Sequence, residues 1–128
     1  DAGKIASYAD VPDIALDLIE VADKPTTIIY PGAKRLAPNL IAEDGTIGIR
    51  ITREEFTRSL IFRYNKPIVS TSANISGEPS PHFFGEISEE IKNAVDYIVD
   101  YRRNDHKPAA PSSIIKLGMG GEIQIIRK

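Results

Sequence analysis

The chain contains no cysteine, which excludes a disulfide framework, a Cys-ligated zinc or iron–sulfur centre and a catalytic thiol. Its two histidines, His82 and His106, have no partner at the spacing a helix-borne metal site requires, and they read as surface loop residues with no metal assigned. An excess of charge is also lacking. Sixteen Lys and Arg against eighteen Asp and Glu leave a formal net charge of -2, which argues against a surface built as an electrostatic sleeve for nucleic acid and confines any RNA contact to a local patch. No apolar run approaches the roughly 18 to 20 residues that span a bilayer, and no charged-then-apolar leader opens the sequence. The expectation is a soluble, cytoplasmic protein with no membrane partner. A Walker loop, a dinucleotide-binding glycine fingerprint and a nucleophile elbow are missing too, because Gly118-Met119-Gly120-Gly121 is not followed by the Lys-Ser/Thr of a P-loop.

What is present is a chain of 128 residues, 41% of them apolar, enough for one core and a single domain over residues 1–128. Ile14, Leu18 and Val21, flanked by Leu16 and Ile19, recur near helical spacing behind Pro12 and predict a helix over about 12–22. Thr26-Thr27-Ile28-Ile29-Tyr30, closed by Pro31-Gly32, has the composition of a strand ending in a turn. Thr46 to Ile51 alternates behind Asp44-Gly45 and predicts a second strand. Thr52 with Glu55 three residues on reads as a capping box for a helix that buries Phe56, Leu60, Ile61 and Tyr64. Short strands are expected at Pro67-Ile68-Val69-Ser70 and Tyr97-Ile98-Val99, with a helix opened by Ser88 between them. Residues 113–117 and 123–126 flank the Gly118–Gly121 turn as a hairpin. Early alternation of strand and helix followed by an antiparallel end favours an α/β (α+β) fold with a mixed sheet and helices on its faces.

Two features carry candidate chemistry. Ser72-Ala73-Asn74, then Ser76-Gly77 and Ser80, forms a dense group of small hydroxyl and amide side chains after an expected strand, where α/β sheets bind ligands. Such residues let phosphate oxygens approach backbone N–H groups. The plainer reading is an ordinary Ser/Asn/Gly/Pro turn. Arg50 is the second: with Ile47, Ile49 and Ile51 on one side of a strand, Gly48 and Arg50 face the other, where a guanidinium fork suits a carboxylate or phosphate and Gly48 leaves room. Its plainer reading is a solvated strand-edge arginine. Arg102, Arg103, Lys107 and Lys116 form a basic patch, more often a solvated face than an RNA contact.

Residues 66–81, Lys-Pro-Ile-Val-Ser-Thr-Ser-Ala-Asn-Ile-Ser-Gly-Glu-Pro-Ser-Pro, closely resemble the YrdC family, in which a proline and two apolar residues precede Ser-Ala-Asn-x-Ser-Gly and often Pro-Ser-Pro. Thr46-Ile47-Gly48-Ile49-Arg50 resembles that family's Thr-Val-x-Val-Arg strand, Ser112-Ser113-Ile114-Ile115 its Ser-Thr-Val-Val segment, and Ile125-Ile126-Arg127 its terminal Leu-Arg. The resemblance runs from about Ile5 to Arg127. It implies a YrdC/RibB-like fold, a twisted mixed parallel/antiparallel sheet flanked by helices around a concave, positively lined cavity. It also implies a nucleotidyltransferase, threonylcarbamoyl-AMP synthase, which uses bicarbonate to carboxylate the amino group of L-threonine, adenylates the carbamate with ATP and releases pyrophosphate. Carried over by position, Thr46, Ser72, Ser80 and Arg127 contact ATP, with Asn74 shaping the ATP loop, while Arg50, Ser70 and Ser112 hold threonine. Mg²⁺ would arrive on the phosphates. The downstream partners implied are tRNA threonylcarbamoyl-transferase proteins, with tRNA or double-stranded RNA as a further partner.

The family's N-terminal Pro-Thr-Asp-Thr-x-Tyr-Gly strand and Lys-x-Arg motif have no counterpart here, its Trp-Pro-Gly-Pro is reduced to Asp23-Lys24-Pro25, and Pro111 stands where a glutamate is common. The expectation is an N-terminally truncated domain, poorly active alone. Two other readings are a double-stranded RNA-binding module of the same fold and the carbamoyl-transfer domain of hydrogenase maturation proteins. The latter should be accompanied by acylphosphatase and Cys-rich modules, neither of which is visible in this sequence.

Overall fold

β-Branched and aromatic residues at Thr26–Tyr30 form strand β1, with the bounds expected from composition. The computed structural model describes all 128 residues. They divide into two units: residues 1–64 with 111–128, and residues 65–110.

In the first unit β1 lies inside a four-stranded sheet. Strands β2 (Ile47–Arg50), β3 (Ser113–Leu117) and β4 (Ile123–Arg127) complete it in the order β2-β1-β3-β4. β1 is antiparallel to β2 and parallel to β3, and β3–β4 is the expected antiparallel hairpin. The mixed sheet follows from connection length: a parallel pair needs a long crossover, which residues 31–112 supply.

One face of the sheet holds the core. Ile28, Tyr30 and Leu117 are buried with Ile5 and Ala9 from the N-terminal segment and Ala15 from helix α1 (Ile14–Val21). Burial pushes the Tyr30 phenol up to about 12, since its anion would lose hydration there. Ile14, Leu18 and Ile19 pack against this core, whereas Val21, expected on the same helix face, is exposed in the last turn. α1 has eight residues, too few to persist without support. Arg53 supplies some: its guanidinium donates to the carbonyls of Ala22 (2.8 Å), Ile19 (2.6 Å) and Glu20 (3.4 Å), groups that a helix end leaves without intrahelical partners. Beyond β1, Gly32 turns the chain with φ +66°, and a Cβ there would collide with the Asp10 carboxylate.

Helix α2 (Glu55–Tyr64) differs from expectation at both ends. It starts later than a Thr52 cap requires, and Glu54 folds back to accept from the backbone N–H groups of Phe56 (3.1 Å) and Thr57 (2.7 Å), so Glu54 replaces the Thr52–Glu55 capping box. Burial then fades along the helix. Phe56 and Ile61 are half-buried but Leu60 and Tyr64, expected on the same buried face, are exposed.

In the second unit, Ser88 caps helix α3 (Glu89–Ala94) by accepting from the Ile91 N–H at 3.3 Å. The strands expected at 67–70 and 97–99 do not form. Pro67 has no N–H to give a ladder, and Ile68 and Val69 are exposed in chain that forms no sheet pairing. The carbonyls of Ile98 and Val99 are taken by Arg103 at 2.8 and 3.2 Å instead of by a strand. No helix of the protein is long and apolar enough to cross a membrane.

Candidate functional site

The core face of the sheet takes Ile28, Ile49 and Ile115, so strand alternation turns their neighbours to the opposite, open face. There the register aligns one row across all four strands: Arg50 opposite Thr27, Thr27 opposite Ile114, and Ile114 opposite Arg127. Three strand spacings separate the two arginine backbones, roughly 14 Å, a span that two long side chains can close around a small anionic ligand.

Arg127 reaches this face through a defect in the β3–β4 ladder. Ile115 pairs with Ile125, yet Ile114 pairs with Arg127, so one residue of β4 is bulged between them. Regular pairing would set Arg127 opposite Ser113, on the core side, and the extra residue re-aims it. Its guanidinium Nε then donates to the Ser112 carbonyl at 2.8 Å, and Nη2 lies 3.5 Å from the Ser112 hydroxyl. The Ser112 hydroxyl is in turn 2.8 Å from that of Thr27. Arg50, Ser112 and Arg127 are therefore brought to one face, with Thr27 among them. Gly48 does not leave a void beneath Arg50: a Cβ placed on it would lie 3.3 Å from the Thr27 Cγ2 methyl, which fills that space.

Thr46 immediately precedes β2 and is buried, and its hydroxyl donates to Asp44 Oδ1 at 2.6 Å. The other Asp44 oxygen receives Lys116 Nζ at 2.6 Å, a bridge from β3 over β1 to the turn before β2. The Lys116 and Thr46 hydrogen bonds hold the Asp44 carboxyl down at about 2. Lys116 is thus committed to this bridge and is not a free member of a basic patch.

The remaining candidates lie in the second unit. Asn74 organises their loop: its amide donates to the Ile75 and Glu78 carbonyls at 3.1 and 3.0 Å, and Ser80 lies 3.5 Å from its Oδ1. Gly77, at φ +87°, lets the chain turn within that ring. Ser70, Ser72 and Ser80 are exposed. The basic residues of this unit are largely engaged. Arg102 grips Asp105 through Nε and Nη2 at 3.0 and 2.6 Å, and Arg103 lies 5.2 Å from the Phe84 ring centre. The Asp105 carboxyl is lowered by the Lys107 backbone N–H and by Arg102.

A cavity of about 230 Å³ opens in the first unit, with Ile28, Tyr30, Ile49, Ile51, Thr52 and Arg53 in its lining. Of the residues singled out from sequence, only Arg50 lines it. No three His, Cys, Asp or Glu side chains converge as a metal cage. Thr27 is the functional candidate that sequence reasoning missed; alternation within Thr26–Tyr30 could have placed it opposite Ile28 and Tyr30, but its neighbours depend on the pairing of distant strands.

The profile of the Sua5/YciO/YrdC family, described as "Telomere recombination", matches residues 1–128. A Methanocaldococcus jannaschii protein provisionally named threonylcarbamoyl-AMP synthase is 40% identical over 118 residues, which are 91% of this chain and 54% of that protein. The threonylcarbamoyl-AMP synthase of Pseudoalteromonas translucida is 27% identical over 125 residues, 94% of this chain and 65% of the relative. The chain thus spans about half to two-thirds of the length of these relatives. The crystal structure of Escherichia coli YciO superposes with a TM-score of 0.80 at 22% identity, covering 100% of this chain and 62% of that one, and has the same fold.

Proposed function

The chain belongs to the Sua5/YciO/YrdC family, and from that premise we propose that its open sheet face is part of the substrate platform of a threonylcarbamoyl-AMP synthase serving tRNA threonylcarbamoyladenosine formation. The observation that carries the reading is the row that sets Arg50 and Arg127 on either side of the Thr27–Ser112 hydroxyl pair. A guanidinium fork donates two parallel bonds to a carboxylate, which suits Arg50 to the carboxylate of L-threonine, and Arg127 to the growing negative charge of a leaving pyrophosphate. In the sheet unit Ser112 would contact threonine and Thr46 would contact ATP, its hydroxyl proton already given to Asp44; in the 65–110 unit, taken by itself, the resemblance gives Ser70 to threonine and Ser72, Asn74 and Ser80 to ATP. Bicarbonate first carboxylates the threonine amine: the nitrogen–carbon bond forms, one carbon–oxygen bond of bicarbonate breaks, and that oxygen leaves as water with a proton from the amine. A carbamate oxygen then attacks the α-phosphorus, the bond from that phosphorus to the bridging oxygen breaks, and pyrophosphate departs. Alignment and charge stabilisation supply the acceleration, with no covalent enzyme intermediate.

The chain gathers no ligand set of its own for Mg²⁺, and in this reading the ion enters on the triphosphate. The product would pass to tRNA threonylcarbamoyl-transferase proteins in the cytoplasm. The double-stranded RNA-binding reading is weaker, since Arg102, Arg103 and Lys116 already serve Asp105, Phe84 and Asp44.

The test is pyrophosphate release from ATP by the full-length protein, with L-threonine and bicarbonate together or omitted singly, and with Arg50→Ala. The expected result is release that needs both co-substrates and falls about 100-fold in kcat/KM for threonine without Arg50, the loss of a bidentate charge-assisted contact worth about 3 kcal/mol. Release indifferent to threonine would end the enzyme reading, and salt-sensitive RNA affinity in its place would favour the RNA-binding one. The 128-residue chain by itself is expected to turn over poorly.

A further inference from the structure

Thr27 occupies the middle of the row on the open face. Its methyl packs toward Gly48 and its hydroxyl toward Ser112, so both ends of this short side chain are fixed and the hydroxyl cannot turn away. Two hydroxyl groups at 2.8 Å share two protons, and one is used in the bond between them. Whichever oxygen donates, one proton of the pair remains uncommitted. Arg127 is a donor only, and its contacts to the Ser112 carbonyl and hydroxyl consume acceptors, not that proton. The open face therefore carries a single neutral donor in the row between Arg50 and Arg127.

We propose that Thr27 is a further substrate-positioning residue: with Ser112 it presents one hydroxyl proton, between Arg50 and Arg127, to the carbamate formed on threonine. This rests on the synthase reading of the face and adds an order to it. If Arg50 holds the amino acid's carboxylate and Arg127 the phosphates, the group between them is the carbamate, and the strand register puts Thr27 there. Donation to the spectator oxygen of the carbamate fixes its rotation, so that the other oxygen faces the α-phosphorus. No atom is transferred to or from Thr27; the new bond is carbamate oxygen to phosphorus, and the electron pair of the broken bond leaves with pyrophosphate.

A neutral hydroxyl suits this position better than a third cation. Threonine and ATP are bound before the carbamate exists, and their charges are met by the arginines. The Thr27 hydroxyl then contributes orientation, which is expressed in the rate of the chemical step and not in the affinity of either substrate.

The experiment compares wild type, Thr27→Val, Thr27→Ser, Ser112→Ala and the Thr27→Val/Ser112→Ala double variant of the full-length protein. Steady-state pyrophosphate release is measured alongside calorimetric binding of ATP and of threonine. Valine is isosteric and suits a strand, so Thr27→Val retains the sheet. Its kcat is expected to fall about 10-fold or more, as misplacement of a reacting group does, with both dissociation constants within about threefold. Thr27→Ser recovers most of the rate. The double variant, which removes both hydroxyls and so the last neutral donor, should be at least as slow as the worse single variant. A Thr27→Val enzyme with unchanged kcat, or one impaired only in threonine binding through Ser112, overturns the proposal, as does a Thr27→Ser enzyme as slow as Thr27→Val. A wild-type enzyme that releases pyrophosphate without needing threonine and bicarbonate removes the synthase reading itself, and this inference with it.

Discussion

Replacing Arg53 by alanine should unlock the last turn of α1 and loosen the exit from β2 together. The guanidinium makes two short bonds, to Ile19 and Ala22, and a long one to Glu20. A charged donor to a neutral acceptor contributes about 1.5–3 kcal/mol where water is excluded. This site is exposed, and the freed carbonyls can turn to solvent, so about 1 kcal/mol for each short bond is the working figure. The total is about 2 kcal/mol, a substantial part of a typical margin of about 5–15 kcal/mol. For a domain of this size it corresponds to a fall in Tm of about 8 °C. Arg53→Lys offers a point donor in place of a planar fork and should recover no more than half. The assay is thermal unfolding of the full-length protein followed by circular dichroism, paired with hydrogen exchange at Ala22, whose N–H closes the helix on the Leu18 carbonyl. A Tm for Arg53→Ala within about 1 °C of wild type, or equal melting of Arg53→Lys and wild type, would refute the anchoring role derived from these bonds.

Two further perturbations follow from the same unit. The Asp44 carboxyl, held at about 2 against an ordinary 3.8, favours the folded state fully above the ordinary value, and that contribution is lost as pH falls through about 2. Carboxyl NMR should find its midpoint near 2 and see it rise in Lys116→Met; a midpoint near 4 in the native protein would show that the bridge does not hold. Gly32→Ala should destabilise by about 1–2 kcal/mol, since a side chain is strained at positive φ and must also displace the Asp10 carboxylate. The urea midpoint measures it, and an unchanged midpoint contradicts the strain argument.

Much of the sheet was legible because its signals are local. Thr26–Tyr30 and the hairpin around Gly118–Gly121 carry their own propensity and turn chemistry, and Ser88 caps its helix with the contact its position implies. The doubled isoleucine at 125–126 is, in hindsight, the mark of the bulge that re-aims Arg127. What sequence could not supply was adjacency. Segments 67–70 and 97–99 have strand composition, yet a strand exists only with a partner, and the Ile98 and Val99 carbonyls found Arg103 first. Arg50 was legible from strand alternation, and Ser112 and Arg127 from resemblance, whereas Thr27 emerges only once β1 is known to lie between β2 and β3. Glu54 was overlooked because a capping box looks for its acid at the third helical position and not at the cap itself.

The parallel pairing of β1 with β3 also sets an order in time. Thr26 must wait for Ser113, and nothing local can substitute for that contact, so β1 leaves the ribosome with one of its two neighbours still unmade. At translation rates of about 5–20 residues per second the wait is on the order of 5–20 s, during which Ile28 and Tyr30 lack the strand that carries Leu117. The residues between include the whole 65–110 unit, free to fold first. A nascent chain stalled before Ser113 would expose the future core to chaperones, and emergence of residues 113–128 would close it in a late step.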